Sequence, residues 1–160
     1  MSQFEGIDQL LKEHPFFVGM TPEYLGLVGG CGMNERFNAG EYVFREGEAA
    51  DKFYIIRSGA IAVELAAPGR EPMVLQTLSD GEILGSSWIV PPYRWLFDAR
   101  AVQLARVVSL DAKCLRGKCE ADHSLGFDLM KRFAPVLSQR LQAARLQLFD
   151  MYGKPGDRRS

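Results

Sequence analysis

Between residues 85 and 95 the chain reads Gly-Ser-Ser-Trp-Ile-Val-Pro-Pro-Tyr-Arg-Trp, an unusual concentration of aromatics, prolines and one cation for a surface loop. Two kinds of chemistry are open to it. The hydroxyls of Ser86 and Ser87, with nearby backbone amides, can face an anion while Arg94 supplies charge and the Trp95 or Tyr93 ring stacks on a planar group. Alternatively, Trp88, Trp95 and Phe97 are hydrophobic mass filling a cavity, the commoner fate of large aromatics.

Other reactive residue types are too dispersed to form a site. The three cysteines, Cys31, Cys114 and Cys119, are odd in number and show no CxxC spacing, so reduced thiols in a reducing compartment are expected. Cys114, Cys119 and His123 fall short of the four closely spaced ligands of structural zinc, and no metal site is expected. His14, directly before Pro15, marks a helix end and not a haem ligand. Glu41, Glu46 and Glu48 read as exposed turn acids, and Asp98 with Arg100 as a solvated or ion-paired strand edge. No Walker loop, paired carboxylates or nucleophile–base order stands out, so an enzyme is not expected.

The elements that position these residues belong to one domain, since 160 residues suit a single core. Disorder is excluded by a hydrophobic fraction of 47% against a net charge of only −1. The same near-neutral charge gives no general pull toward nucleic acid or anionic lipid. The N-terminus lacks the basic start and apolar stretch of a secretion signal, and no apolar run reaches the roughly 18 residues of a membrane span. A cytoplasmic protein with no membrane contact is the expectation.

Residues 4–33 predict short helices, one of them started by Thr21-Pro22-Glu23 and ended by Gly29-Gly30. Residues 35–110 change to short extended runs divided by glycine turns, with Arg57-Ser58-Gly59 expected to close a tight hairpin and Pro68-Gly69-Arg70-Glu71 a looser one. Asp111 then caps a short helix over 112–120, and a longer one follows to about Tyr152, with Gly153 as its stop and 153–160 as a flexible tail. In that helix Phe127, Met130, Ala134, Leu137, Leu141, Ala144, Leu148 and Met151 form an a/d seam, while Leu129, Phe133, Val136 and Ala143 lie on a second flank. Two flanks need two partners: the barrel, and a second subunit docked on Leu137, Leu141, Ala144 and Leu148. Pro135 predicts a kink near Phe133–Ala134, or a short helix joining a longer one there. The fold class is therefore α+β, mainly β: a double-stranded β-roll, or jelly roll, with N-terminal helices and a long C-terminal helix, spanning residues 1–152.

Three strings in this order resemble the cyclic-nucleotide-binding domain of the catabolite-activator and protein-kinase-regulatory-subunit superfamily: Gly40-Glu41-Tyr42-Val43-Phe44-Arg45-Glu46-Gly47-Glu48, Phe53-Tyr54-Ile55-Ile56-Arg57-Ser58-Gly59, and Asp80-Gly81-Glu82-Ile83-Leu84-Gly85. The resemblance implies that Gly85 opens a phosphate-binding cassette, a short helix whose free amides and dipole hold a cyclic phosphate. In the family a glutamate after the glycine accepts from the ribose hydroxyl, and an arginine about ten residues on pairs with the phosphate. Here Ser86 stands at the glutamate position and Trp95 at the arginine position, with Arg94 one residue early. Arg94 could take over only if the loop shifts register.

Three outcomes stay open: a filled cavity, a pocket for another small anionic ligand, and weak binding of a cyclic nucleotide. The expected function is a non-enzymatic regulatory or sensor module with lost or altered cyclic-nucleotide binding; the alternative is a structural, partner-binding protein without a small ligand. Relatives on this fold pass ligand state through the long helix to an output domain. About ten residues follow that helix here, too few for a helix-turn-helix, so direct DNA binding is not expected.

Overall fold

The computed structural model describes residues 3–152; Gly153 and the tail expected beyond it lie outside the described residues. The chain begins with α1 (Gln3–Glu13), a 3₁₀ turn (Pro15–Phe17) and α2 (Pro22–Gly29). In α1 the i, i+4 pair Ile7 and Leu11 is buried, as are Leu25 and Val28 of α2. Thr21 caps α2, its Oγ1 accepting from the Tyr24 amide at 3.3 Å with Pro22 at the first helical position. His14 does end a helix. Its Nδ1 accepts from Phe16 N at 3.2 Å, so the Nε2 that lies 3.0 Å from the Ile56 carbonyl is the protonated nitrogen that donates.

Eight strands follow: β1 (Gly32–Phe37), β2 (Tyr42–Phe44), β3 (Lys52–Ser58), β4 (Ala60–Leu65), β5 (Met73–Ser79), β6 (Ile83–Leu84), β7 (Asp98–Ala101) and β8 (Ala105–Asp111). They form two antiparallel sheets, in the orders β1-β8-β3-β6 and β2-β7-β4-β5. Extended structure thus starts at Gly32, within the stretch expected to be helical, because residues 32–37 pair in register with 105–110. The expected hairpin at Arg57-Ser58-Gly59 does not form. β3 and β4 belong to different sheets, and the turn carries the chain across the roll. Gly59 is required there: its φ is +97°, and a Cβ would sit 2.2 Å from the Leu104 carbonyl oxygen. The looser connection does close a true hairpin, β4 with β5.

β3 is buried at Phe53, Tyr54, Ile55 and Ile56, without polar alternation. Both its faces are covered. Phe53 meets Phe16 and Phe133 of the helical layer, whereas Tyr54 meets Phe44 of the opposite sheet. Asp98 and Arg100 are not at an edge, since β7 lies between β2 and β4. Arg100 pairs with buried Glu64, Nη2 to Oε2 at 2.7 Å and Nε to Oε1 at 3.3 Å. Buried Asp98 accepts from Glu46 N at 2.7 Å and faces Arg45 at 3.5 Å. Each buried carboxylate is therefore both paired and hydrogen-bonded.

Asp111 caps α3 (Ala112–Ala121), accepting from Cys114 N at 2.8 Å. The expectation of three reduced thiols is corrected: Cys31, at the α2–β1 corner, is disulfide-bonded to Cys114 on α3. Cys119 is the free thiol, with its pKa pushed up by burial. The last helix, α4 (His123–Tyr152), runs without interruption through Pro135, so two joined helices are not what forms. Leu125, Leu129 and Phe133 bury its inner flank; Ala143, expected on that flank, is exposed. The a/d seam from Phe127 through Leu137, Leu141, Ala144 and Leu148 to Met151 is exposed throughout.

The disulfide closes a span of 83 residues, and cross-links of this kind contribute about 2–4 kcal/mol. Urea unfolding should show dithiothreitol lowering the stability of the wild type by that order and leaving Cys31→Ser/Cys114→Ser unchanged. Indifference of the wild type to reductant would show that the bond does not exist in solution.

Burial holds the His14 pKa below its ordinary value of 6.5, with the backbone hydrogen bonds opposing in part. The unfolded chain then binds the proton more readily than the folded one. The contribution of His14 to stability is fully present above about pH 6.5 and is lost as pH falls through the lower folded value. Between about pH 7 and 5 the wild type should lose more stability than His14→Gln, and parallel profiles in chemical denaturation would refute the assignment.

Candidate functional site

The loop joining β6 to β7 is where the sequence points, and local forces set its shape. Gly85 adopts φ +106°, closed to most side chains, and a Cβ there would meet Trp95 Cη2 at 2.6 Å. The short helix expected to open at Gly85 is absent. Ser86 and Ser87 form turns in which their carbonyls accept from Ile89 N (3.1 Å) and Val90 N (3.3 Å). Without a helix there is no macrodipole at this point to favour a phosphate. A cis Pro91–Pro92 bond and a positive φ of 57° at Tyr93 then turn the loop back.

Its return limb is zipped onto residues 47–50. Gly47 N donates to the Trp95 carbonyl at 2.8 Å, Trp95 N to the Glu48 carbonyl at 3.0 Å, and Ala50 N to the Tyr93 carbonyl at 2.7 Å. In extended chain neighbouring side chains point to opposite sides. Trp95 goes in and Arg94 goes out.

The indole of Trp95 is 2% exposed and stacks on Phe44 with ring centroids 3.7 Å apart and an interplanar angle of 3°. Arg94 is exposed, its Nη1 donating to the Gly47 carbonyl at 3.3 Å. Of the candidate residues, then, Gly85 and Trp95 are brought into contact, Ser86 and Ser87 shape the adjoining turn, and Arg94 is directed elsewhere. The register shift that would let Arg94 replace the missing arginine does not occur.

Trp88 serves the other side of the sheet. It is 1% exposed and packs on Phe53 (5.5 Å) and Phe133 of α4 (5.7 Å), with its Nε1 unpartnered. Sequence reasoning missed Arg116. From α3 its Nη1 donates to the Trp88 carbonyl at 2.6 Å, and its guanidinium lies over the Tyr93 ring at 4.2 Å. A lone arginine 28 residues from its partner leaves no local signal. Among the described residues no His/Cys/Asp/Glu cluster is placed to hold a metal ion, and no helix is long and apolar enough to cross a membrane.

Residues 34–122, more than half of the chain, match the family model of the cyclic nucleotide-binding domain. A CRP-like cAMP-activated global transcriptional regulator of Mycobacterium tuberculosis is 26% identical over 145 residues, 91% of this chain. The chain spans 63% of that relative's length. The human cGMP-dependent protein kinase 2 is 32% identical over 81 residues, 50% of this chain but only 11% of the kinase. A cyclic nucleotide-binding domain from Methylobacillus flagellatus superposes with a TM-score of 0.76 at 16% identity, covering 92% of this chain and 83% of the other, a likeness of fold. With a β-roll, a cassette loop between β6 and β7 and a long closing helix in place, this chain belongs to the cyclic nucleotide-binding domain family.

Proposed function

We propose that this chain is a non-enzymatic regulatory module whose cassette has given up ordinary cyclic-nucleotide binding, its pocket occupied by its own Trp95. The observation that carries this reading is the Trp95 indole seated between Phe44 and Gly85 while Arg94 faces outward. Any cyclic phosphate would have to displace an indole and would meet neither a guanidinium nor a ribose acceptor. Charge-assisted hydrogen bonds contribute about 1.5–3 kcal/mol each, so losing both weakens binding by orders of magnitude.

The module acts as a homodimer through α4. The seam residues Leu137, Leu141 and Leu148 are 40%, 54% and 54% exposed, an apolar stripe that water does not favour. The same stripe favours a second reading, a partner-binding structural protein with no small ligand. The proposed setting is the cytoplasm, on similarity to a transcriptional regulator alone, since the Cys31–Cys114 disulfide removes the support that reduced thiols would have given. Sequence-specific DNA binding by this chain is not part of the proposal, given a net charge of −1.

Calorimetry with cyclic AMP tests the cassette. The wild type should bind at high micromolar Kd or weaker, and Ser86→Glu with Trp95→Arg, which supplies both missing anchors and removes the indole, should gain about 3 kcal/mol, more than a hundredfold. Tight wild-type binding would overturn the reading. Sedimentation tests the dimer: the wild type should be dimeric at micromolar concentration and Leu141→Glu monomeric. A monomeric wild type would remove this assembly.

A further inference from the structure

A cleft of about 600 Å³ opens between α4 and the β5–β6 crossover, and no residue of the cassette loop lines it. Phe16, Ile83 and Val136 give it apolar wall; Glu82, Arg132 and Arg140 give it charge. The two arginines differ in what they already do. Arg132 is engaged through two of its three nitrogens, with Nε on Asp128 at 2.8 Å and Nη1 on the carbonyls of Phe16 and Val18 at 2.9 and 2.8 Å, and it has a carboxylate partner. Arg140, among the described residues, has one partner: its Nη2 donates to the Ile83 carbonyl. Among the described residues no carboxylate lies within ion-pair distance of it. Glu82 acts on it only through space, its Oε2 instead accepting from Ser79 N at 2.7 Å. Burial holds the Arg140 pKa below the ordinary arginine range, with Glu82 opposing. A largely buried guanidinium with a single neutral acceptor is under-compensated.

We propose that this cleft binds a small organic monocarboxylate, its apolar or aromatic body against Phe16 and Val136 and its carboxylate on the free donors of Arg140. The volume falls in the range of about 300–1,000 Å³ typical of small-ligand sites. Asp128 already neutralises Arg132, so Arg140 is the lining cation without an ion pair of its own, and Glu82 faces it only through space. A single carboxylate supplies the pair that Arg140 lacks. A dianionic phosphate brings a second negative charge toward Glu82. A planar carboxylate also matches the fork of a guanidinium.

The position gives the ligand leverage. Arg140 is the last partly buried residue of α4, for every described residue from Leu141 onward is exposed. Its bond reaches Ile83, two residues before Gly85. A carboxylate held there sits where the helix leaves the roll, and it sets how firmly α4 is pinned to β6. The site stands independently of whether the cassette binds a nucleotide.

The test uses the full chain with octanoate and naphthoate as probes, their primary amides and inorganic phosphate as controls, and calorimetry as the readout. The carboxylates should bind, with amides and phosphate at least about tenfold weaker, as loss of one charge-assisted pair requires. Arg140→Gln should weaken the carboxylates about ten- to a hundredfold. Ala143→Phe, a change on an exposed helix position lining the cleft, should block them while keeping the charge. Ser86→Glu/Trp95→Arg should leave their affinity unchanged. The proposal fails if the wild type binds neither carboxylate, if amides or phosphate bind equally well, or if Ala143→Phe binds undiminished; that last variant decides the matter should Arg140→Gln fold poorly.

Discussion

One loop sends two indoles to opposite faces of the same strand, and the arrangement of the molecule depends on that. Phe53 and Tyr54 are neighbours in β3, so their rings lie on opposite sides of the sheet. Trp88 packs with Phe53 beneath α4, while Trp95 joins Phe44, which meets Tyr54 inside the roll. Truncating a buried tryptophan typically costs about 3–5 kcal/mol, comparable to a large part of a small domain's stability. The β6–β7 loop is accordingly a structural clamp, held from within the roll and from the helical layer. Under the proposed function, a loop so held resists the rearrangement that admission of a nucleotide would require.

The polar interactions complete this clamp without competing with it. Glu64 with Arg100 and Asp98 with Arg45 lie within the sheet that contains β7, and each carboxylate finds donors that offset its burial. Arg116 ties the loop to α3 through the Trp88 carbonyl and the Tyr93 ring. α3 is itself fastened to the N-terminal layer by Cys114–Cys31 and by Lys118, whose Nζ donates to the Leu27 carbonyl at 2.6 Å. The loop, α3 and α2 thus form a connected series, and a shift at any member is resisted by the others.

Much of this was legible in the sequence. Glycine punctuation and three ordered strings gave the β-roll, and spacing gave the long helix with its two flanks. The substitution of Trp95 for the family's arginine was visible, and the structure places Arg94 outside. What was not legible depended on distant pairing. Gly32–Phe37 carries little alternation and becomes a strand because β8 offers an edge. Arg57-Ser58-Gly59 has the composition of a hairpin turn, yet the two apolar strands it joins are each better buried in different sheets. Cys31 and Cys114 are 83 residues apart, and no local pattern announces their meeting. Arg140 reads as one more surface cation on a helix, and only the fold lays it against Ile83.

The division of α4 follows from the same geometry. Its first half supplies Leu125, Leu129 and Phe133 to the core, where Phe133 meets Phe16, Phe53 and Trp88. In its second half Leu137, Leu141 and Leu148 are exposed, and Gln147 Nε2 donates to the Leu75 carbonyl of the roll at 3.2 Å. A rigid helix anchored at one end and apolar at the other is a lever in mechanical terms. A small change at its fulcrum moves the far end most, and α4 continues through Pro135 even though that residue supplies no backbone N–H to the helix. The fulcrum lies between Phe133 and Arg140. With the cassette filled as proposed, that region is where the proposed carboxylate biases the helix without opening the roll.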